Sequence, residues 1–326
     1  MIRNTLPSSL ISAKLSQNVA DLREQLKNTS QEAVTGRRAD LTQHLSGRIG
    51  SAMLSQKALN DVASQAGLLQ LRESRLDIAQ QGLTRVATSV SGLSARMQSS
   101  IGAGNDQEQA AVASDAGIAL DSVLSALNVR HGERYVFSGD ATSTTPFAGS
   151  EQLLADIRGI ASTATDAADF EAQIDTYFNS PTGGWQQGIF GGTASTSDPD
   201  GVTAVDPAIT QLVSGLAVMA ISEKGGSLPN GDARTAILDA ASIRLASGET
   251  SVTNLRADLG VKQKRISDEQ ASLAIEKTVL TEAFNQMAGR DQYEAASELQ
   301  QLESNLEASY LLTARLANLS LLNFLR

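Results

Sequence analysis

VASQAGLLQLRESRLDIAQQGLTRVATSVSGLSARMQSSI, residues 62–101, decides how this chain folds. Val62, Leu69, Leu76, Leu83, Val90 and Met97 fall seven residues apart, and from Leu76 a second line of Ala79, Val86 and Leu93 joins them. Leu76, Ala79, Leu83, Val86, Val90, Leu93, Met97 and Ile101 then alternate in steps of three and four. That is the seam of a coiled coil, because a 3.5-residue repeat nearly matches one helical turn and keeps the stripe on one face. No proline falls within 53–98. The stretch therefore predicts a rod roughly 60 Å long, at about 1.5 Å per residue. Such a helix alone leaves its seam in water, so it needs partner helices.

Both ends of the chain supply them. Pro7-Ser8-Ser9 reads as a helix start capped by Ser8 or Ser9, followed by Leu10 or Ile11, Leu15, Val19, Leu22 and Leu26. A helix is expected over 8–34, then a loop over 35–46 opened by Thr35-Gly36-Arg37-Arg38, then the long helix over 46–101. Gly67, Gly82 and Gly92 each weaken it by about 1 kcal/mol against Ala, unless they admit a neighbouring backbone. Gly102-Ala103-Gly104-Asn105 ends it, and Asp106 is the expected cap of the next helix. There Ala110, Ala113, Gly117, Leu120, Leu124 and Leu127 predict a helix folded back antiparallel on the first. From Ser251 the seven-residue spacing returns in Leu259, Ile266, Leu273, Leu280 and Met287, with Lys262, Glu269 and Glu276 on one candidate companion line. Gly289-Arg290-Asp291 interrupts, and a last helix over 291–323 carries Leu299, Leu302, Leu306, Leu312, Leu316 and Leu319.

Between these helices the texture changes. Tyr135-Val136-Phe137 between Gly132 and Gly139 predicts a strand or hairpin. Short helices are expected near 151–162, 167–178, 206–222 and 232–247, with glycine-rich loops over 180–206 that leave room for one hairpin. The expected organisation is residues 1–45 as an N-terminal assembly helix and loop, 46–147 with 251–287 as a helical rod, 148–250 as an inserted domain, and 288–326 as a C-terminal assembly helix.

Composition narrows the function. Aromatic residues are 4% of the chain against 41% apolar, which suits thin helix–helix packing more than an enzyme core. A net charge of −10 argues against nucleic acid, whose phosphates need a basic face. The absence of cysteine rules out disulfides and thiolate metal sites. No cleaved signal peptide and no membrane-spanning helix are expected, since no run approaches about 18 consecutive apolar residues.

Catalytic patterns are wanting: His44 and His131 lie far apart, and no phosphate loop, nucleophile elbow or dinucleotide fingerprint occurs. No enzyme activity, cofactor or metal is expected. Asp198-Pro199-Asp200-Gly201 faintly resembles a calcium loop, but the proline and the missing distal glutamate favour a plain turn. Arg37-Arg38 reads as an anion site or, preferably, as solvated loop charge. Trp185 and Phe190 read as an exposed aromatic site or, preferably, as core. The amphipathic helices at both chain ends lack enough internal partners to bury their stripes. We expect Leu15, Val19, Leu22, Leu26, Leu302, Leu306, Leu312, Leu316 and Leu319 to pack mainly against other subunits.

This layout resembles the flagellin family. Thr35-Gly36-Arg37 is similar to the Ser/Thr-Gly-x-Arg turn after the first flagellin helix, although Asp40-Leu41-Thr42-Gln43-His44 stands where an acidic run often follows. Gly132-Glu133-Arg134-Tyr135-Val136-Phe137-Ser138-Gly139, then Thr145-Pro146-Phe147, resembles the GRYxFxG…PF segment of the family's hook–filament junction members. The ending Leu319-Ser320-Leu321-Leu322-Asn323-Phe324-Leu325 looks like theirs as well. The motif residues are thus Gly36, Arg37, Arg134, Tyr135, Phe137, Gly139, Pro146 and Phe147. The resemblance implies a mainly α fold: a flagellin-like coiled-coil helical rod built from both chain ends, with a short β-hairpin and an inserted small α+β domain. It implies a structural role joining hook to filament, after export through the flagellar type III apparatus to the outside of the cell. Implied partners are other copies of the chain in a ring or helical assembly, a hook-side hook-associated protein, flagellin and an export chaperone, with no nucleic acid and no membrane insertion. A filament flagellin is the nearest rival, and a secreted coiled-coil adhesin or effector the next.

Overall fold

The computed structural model describes the backbone of residues 8–45, 47–222, 228–229 and 231–324, and the side chains between 13 and 315 in that range other than 42 and 43. The fold is mainly α. In order the elements are α1 (Ser8–Thr35), α2 (Leu41–His44), α3 (Ile49–Val90), α4 (Leu93–Gly102), α5 (Asp106–Leu127), β1 (Arg130–His131), β2 (Arg134–Tyr135), α6 (Glu151–Thr163), α7 (Ala167–Asn179), a π-helical turn at Trp185–Ile189, α8 (Pro207–Ala220), α9 (Asp232–Ala288) and α10 (Gln292–Phe324). Two compact units share them: one takes the chain up to Ala66 and from Ala271 onward, the other is Gly67–Gln270.

The heptad stripe does what its spacing dictates. Val62, Leu69, Leu76, Ala79, Leu83, Val86, Val90, Leu93 and Met97 are all buried. The helix expected over 46–101 is nevertheless two helices. Gly92 takes φ +79°, a left-handed conformation that a residue without Cβ adopts freely. Leu93 and Met97 rejoin the seam in α4.

Within Gly67–Gln270, α9 runs antiparallel to α3. Gln80 Nε2 donates to the Arg256 carbonyl at 2.6 Å, Gln263 to Asp77 at 2.6 Å and Gln270 to Glu73 at 3.0 Å. These polar ties stand beside the Leu259 and Ile266 line, where a second apolar line is poor. Helix α5 is capped by Asn105, whose side chain accepts from the Glu108 N–H at 3.1 Å; Asp106, the expected cap, lies in the first turn. A broad face of α5, including Val112, Ala116, Leu120, Val123 and Leu127, is buried against α4 and α8. By length and composition α5 is apolar enough to cross a membrane, which a count of consecutive apolar residues does not reveal, yet half of that window is buried inside the fold.

Of the three glycines in the long helix, Gly82 alone marks a close approach. A Cβ there would lie 2.9 Å from the Phe137 ring and 3.3 Å from the Ala126 carbonyl oxygen, while nothing stands within 4 Å at Gly67 or Gly92. Phe137, Phe147, Phe170, Phe178 and Trp185 are fully buried. Phe147 and Phe178 stack on Trp185 at 5.0 and 5.3 Å between ring centroids. The indole N–H donates to the Ala204 carbonyl at 3.3 Å. Trp185 and Phe190 are therefore core and not an exposed site. The β content expected for residues 148–250 is not found among the described residues. Single backbone bonds hold those loops instead: Gly191 N–H to Pro146 O, Thr193 N–H to Ser138 O and Ala204 N–H to Phe137 O, at 2.9, 2.9 and 3.0 Å.

Helix α9 also runs unbroken through residue 250, where the sequence pattern suggested a new element. Gly248 is the reason a packed crossing fits there. A Cβ on it would lie 2.5 Å from Leu212 Cα, and one on Gly215 would lie 2.7 Å from the Leu245 nitrogen. Gly260, in the same helix, has nothing within 4 Å. Helix propensity favours alanine over glycine at both α9 positions by about 1 kcal/mol. Gly260→Ala is therefore expected to raise the urea midpoint. Gly248→Ala is expected to lower it, because overpacking against a backbone costs about 1–3 kcal/mol; equal shifts in the same direction would refute the crossing.

Candidate assembly interface

The unit made from the two chain ends is organised by two turns, one after α1 and one before α10. Thr35 Oγ1 donates to the Gln31 carbonyl at 2.8 Å and accepts from the Arg37 N–H at 3.3 Å, which closes the end of α1. Gly36 takes φ +65°, and its N–H donates to Glu32 O at 2.8 Å. A Cβ at Gly36 would be strained by that φ and would press on Gln292 at 3.3 Å. The second turn, Gly289-Arg290-Asp291, lies against the first. Arg38 N–H donates to Ala288 O at 2.9 Å and Arg290 N–H to Gly36 O at 3.0 Å, an antiparallel bridge of Arg37 opposite Gly289. Asp291 caps α10 by accepting from the Tyr293 N–H at 2.8 Å.

A buried Glu32–Arg290 ion pair, extended outward to the exposed Glu298, backs the bridge. Glu32 is buried and accepts the Ala39 N–H at 2.8 Å through one oxygen. Its other oxygen pairs with the Arg290 guanidinium, which also pairs with Glu298. Burial alone would push the Glu32 carboxyl up, but the Ala39 N–H and the Arg290 guanidinium outweigh it and hold the group below its ordinary value. Burial likewise opposes the Arg290 charge, and the two carboxylates more than restore it. Arg37 lies over the Phe284 ring, 5.5 Å from its centroid. Phe284 in turn packs with Leu45, Ala52 and Ala288, ringed by Leu41, Ile49, Leu59 and Met287. Sequence patterning foresaw neither the triad nor the stacked arginine, since their partners lie far apart in the chain.

From these turns α1 and α10 run antiparallel along one another. Arg23 Nε donates to the Tyr310 hydroxyl at 2.8 Å with its guanidinium over that ring. Leu15, Val19, Leu22, Leu26 and Leu306 are half-buried, and Leu302 is buried. Leu312 is 54% exposed. Leu316 and Leu319 lie outside the described side chains. Apart from Leu312, the described residues of the terminal stripes thus meet each other first, and further apolar surface is left on the unit at Val34, Met53, Leu54, Ile275, Tyr293 and Leu311.

The remaining motif residues belong to Gly67–Gln270. Arg134 is exposed on the hairpin opposite His131. Tyr135 accepts from Thr145 Oγ1 at 3.0 Å, and Phe137 and Phe147 enter the aromatic core. Gly139 takes φ +63°, and a Cβ there would lie 2.1 Å from the Thr193 carbonyl oxygen. The Pro146 carbonyl receives the Gly191 N–H. Asn128 holds the far end: its amide donates to Phe147 O at 2.8 Å and accepts the Phe147 N–H at 3.0 Å. The segment is a brace between the end of α5 and the loops after the π turn. Asp198 and Asp200 pair with Arg75 and Arg72 at 2.6 and 2.7 Å, and Gly201 N–H closes a turn on Asp198 O. That acidic loop is a clamped turn. Among the described residues no three His, Asp or Glu side chains converge as a metal site.

The Glu32–Arg290 pair has a signed consequence. A carboxyl held below its unfolded value contributes stability that is full above the unfolded value and is lost as pH falls through the folded one. Arg290→Ala, which strands the buried Glu32 charge, is expected to cost about 3 kcal/mol at neutral pH. It should also flatten the loss of stability below about pH 4.5 in melts taken across that range; an unchanged acid limb would show that the pair contributes nothing.

No curated protein matches the chain. Residues 245–325, which hold most of α9, the Gly289-Arg290-Asp291 turn and α10, match the family model described as the bacterial flagellin C-terminal helical region, and that match supports membership of the flagellin family.

Proposed function

We propose that this chain is a structural subunit of the bacterial flagellum that joins hook to filament. The observation that carries the reading is the Arg134–Phe147 segment, whose Arg134-Tyr135-Val136-Phe137-Ser138-Gly139 and Pro146-Phe147 resemble the GRYxFxG…PF pattern of the junction members and whose residues here form one continuous brace. The C-terminal match to the flagellin region supports the wider class of self-assembling flagellar subunit. Filament flagellin is the second reading, because that same match bears on it equally.

In this account residues 1–45 and 288–326 are the assembly segments, and 148–250 face outward. Other copies cover the apolar side chains left exposed on the terminal unit, and Leu312, Leu316 and Leu319 extend that seam. The hook side is met through a hook-associated protein and the filament side through flagellin, by heterologous contacts that do not close on a single pair. A chaperone holds the segments before export through the type III apparatus, and the work done is packing, with no catalysis.

Immunogold labelling with antibody against residues 150–250 tests the assignment. One band of gold where hook meets filament is expected; label along the whole filament makes the chain a flagellin, and no flagellar label removes both readings. Leu312→Glu supplies a second test. Because Leu312 is already exposed, the variant should melt like the wild type, within about 0.5 kcal/mol, yet fail to assemble; normal filaments from it would refute the interface.

A further inference from the structure

An open groove of about 570 Å³ runs between α1 and α10, walled by Leu26 and Leu306 and lined by Glu303, Glu307, Gln300 and Tyr310. Its described lining carries no basic side chain, and Arg23 beside it is turned onto the Tyr310 ring. Neither Glu303 nor Glu307 forms an ion pair among the described residues, whereas Glu298, nearer the turn, is taken by Arg290. The groove thus combines apolar surface from Leu26 and Leu306 with the negative charge of Glu303 and Glu307.

The complementary charge lies in the same unit. Arg37, Arg38 and Arg48 fall within twelve residues of a chain whose net charge is −10. Arg48 is exposed beside Gly47, and no ion pair holds it among the described residues. The two patches cannot neutralise each other within one copy. Glu303 and Glu307 stand roughly 17–23 Å along α10 from Gln292 at about 1.5 Å per residue, well beyond a Debye length of about 8 Å at physiological salt. The turn residues Gly36 and Gln292 are in contact, so the basic loop starts at the other end of that distance.

Resting on the reading of the chain as a self-assembling subunit, we infer that the Glu303–Glu307 groove receives the basic Arg37–Arg48 loop of a second copy. Two different patches meeting head to tail make a heterologous contact, which propagates instead of closing on a dimer. Opposite charge steers the loop to the groove, and Leu26 and Leu306 offer apolar surface to the aliphatic arms of the arginines.

Charge reversal in the purified full chain tests this, read as the concentration at which sedimenting polymer forms. Glu303→Lys with Glu307→Lys, and separately Arg48→Glu, should each raise that concentration about tenfold. Combining all three should recover much of the loss, and melting curves should be unchanged throughout. The chain has no cysteine, so Arg48→Cys with Glu307→Cys gives a clean cross-link. Oxidation of the polymer should yield a ladder beyond dimer on a non-reducing gel, because the two sites are too far apart to join within one copy. Reversals that polymerise at the wild-type concentration, or a cross-link that stops at dimer, overturn the contact and leave the flagellar assignment standing. A wild-type chain that stays monomeric at every concentration overturns both.

Discussion

Everything at the chain ends depends on the meeting of two turns, Gly36-Arg37-Arg38 and Gly289-Arg290-Asp291. Helix α1 finishes with unpaired carbonyls, α9 does the same, and α10 begins with unpaired N–H groups. The two turns satisfy part of that need from one another through Arg38 N–H to Ala288 O and Arg290 N–H to Gly36 O. Glu32 and Arg290, 258 residues apart in sequence, close the same contact with charge. Bringing such distant segments together costs on the order of 5 kcal/mol in loop entropy for an unstructured connection. A single bridge and one ion pair do not offset that alone. The α1–α10 pairing and the Phe284 cluster must contribute as well, so the bridge acts chiefly by fixing where the two helices start and at what register they run.

The two units solve different packing problems. Among the described residues the aromatic stacking lies in Gly67–Gln270, built from Phe147, Tyr177, Phe178, Trp185 and Phe190, and its glycines at 82, 215 and 248 let helices and loops approach where a methyl group would collide. The terminal unit has a small core of Leu45, Ala52, Phe284 and Ala288, with side chains such as Val34, Met53 and Tyr293 left in water. A well-filled unit and a poorly covered one in the same chain fit a subunit whose ends are finished by neighbours, at about 25 cal/mol for each Å² of apolar surface covered.

Periodicity made much of this legible in advance. The seam from Val62 to Met97 is buried residue for residue, and the helices at 8–35, 151–163 and 167–179 fall within a residue or two of their expected ends. What periodicity could not carry was anything decided by a partner distant in sequence. Asn128 is an unremarkable helix-end residue until Phe147 comes to its side chain. Asp198 and Asp200 resemble a cation loop until Arg72 and Arg75 are seen beside them. Gly248 reads as a helix weakener and is a crossing point. Gly92 shows the reverse limit: the apolar pattern passes straight through it, because a single left-handed residue can break a helix while leaving both halves on one seam.

The half-buried state of Leu15, Val19, Leu22 and Leu26 suits the assembly role proposed for the terminal helices. A stripe fully sealed within one chain would have to be torn open before it met another copy, and each fully buried leucine would oppose that by about 1.5–3 kcal/mol. A stripe with no partner at all would draw the free chain into disordered aggregates. Pairing α1 with α10 through one face, and holding that pair at the Gly36–Gly289 turns, leaves an intermediate: ordered enough to present a defined surface, and incomplete enough that a neighbour still gains by covering it. The buried Glu32–Arg290 pair suits such an intermediate better than added leucines would, because hydrogen-bonded charge specifies one register and contributes little apolar surface of its own.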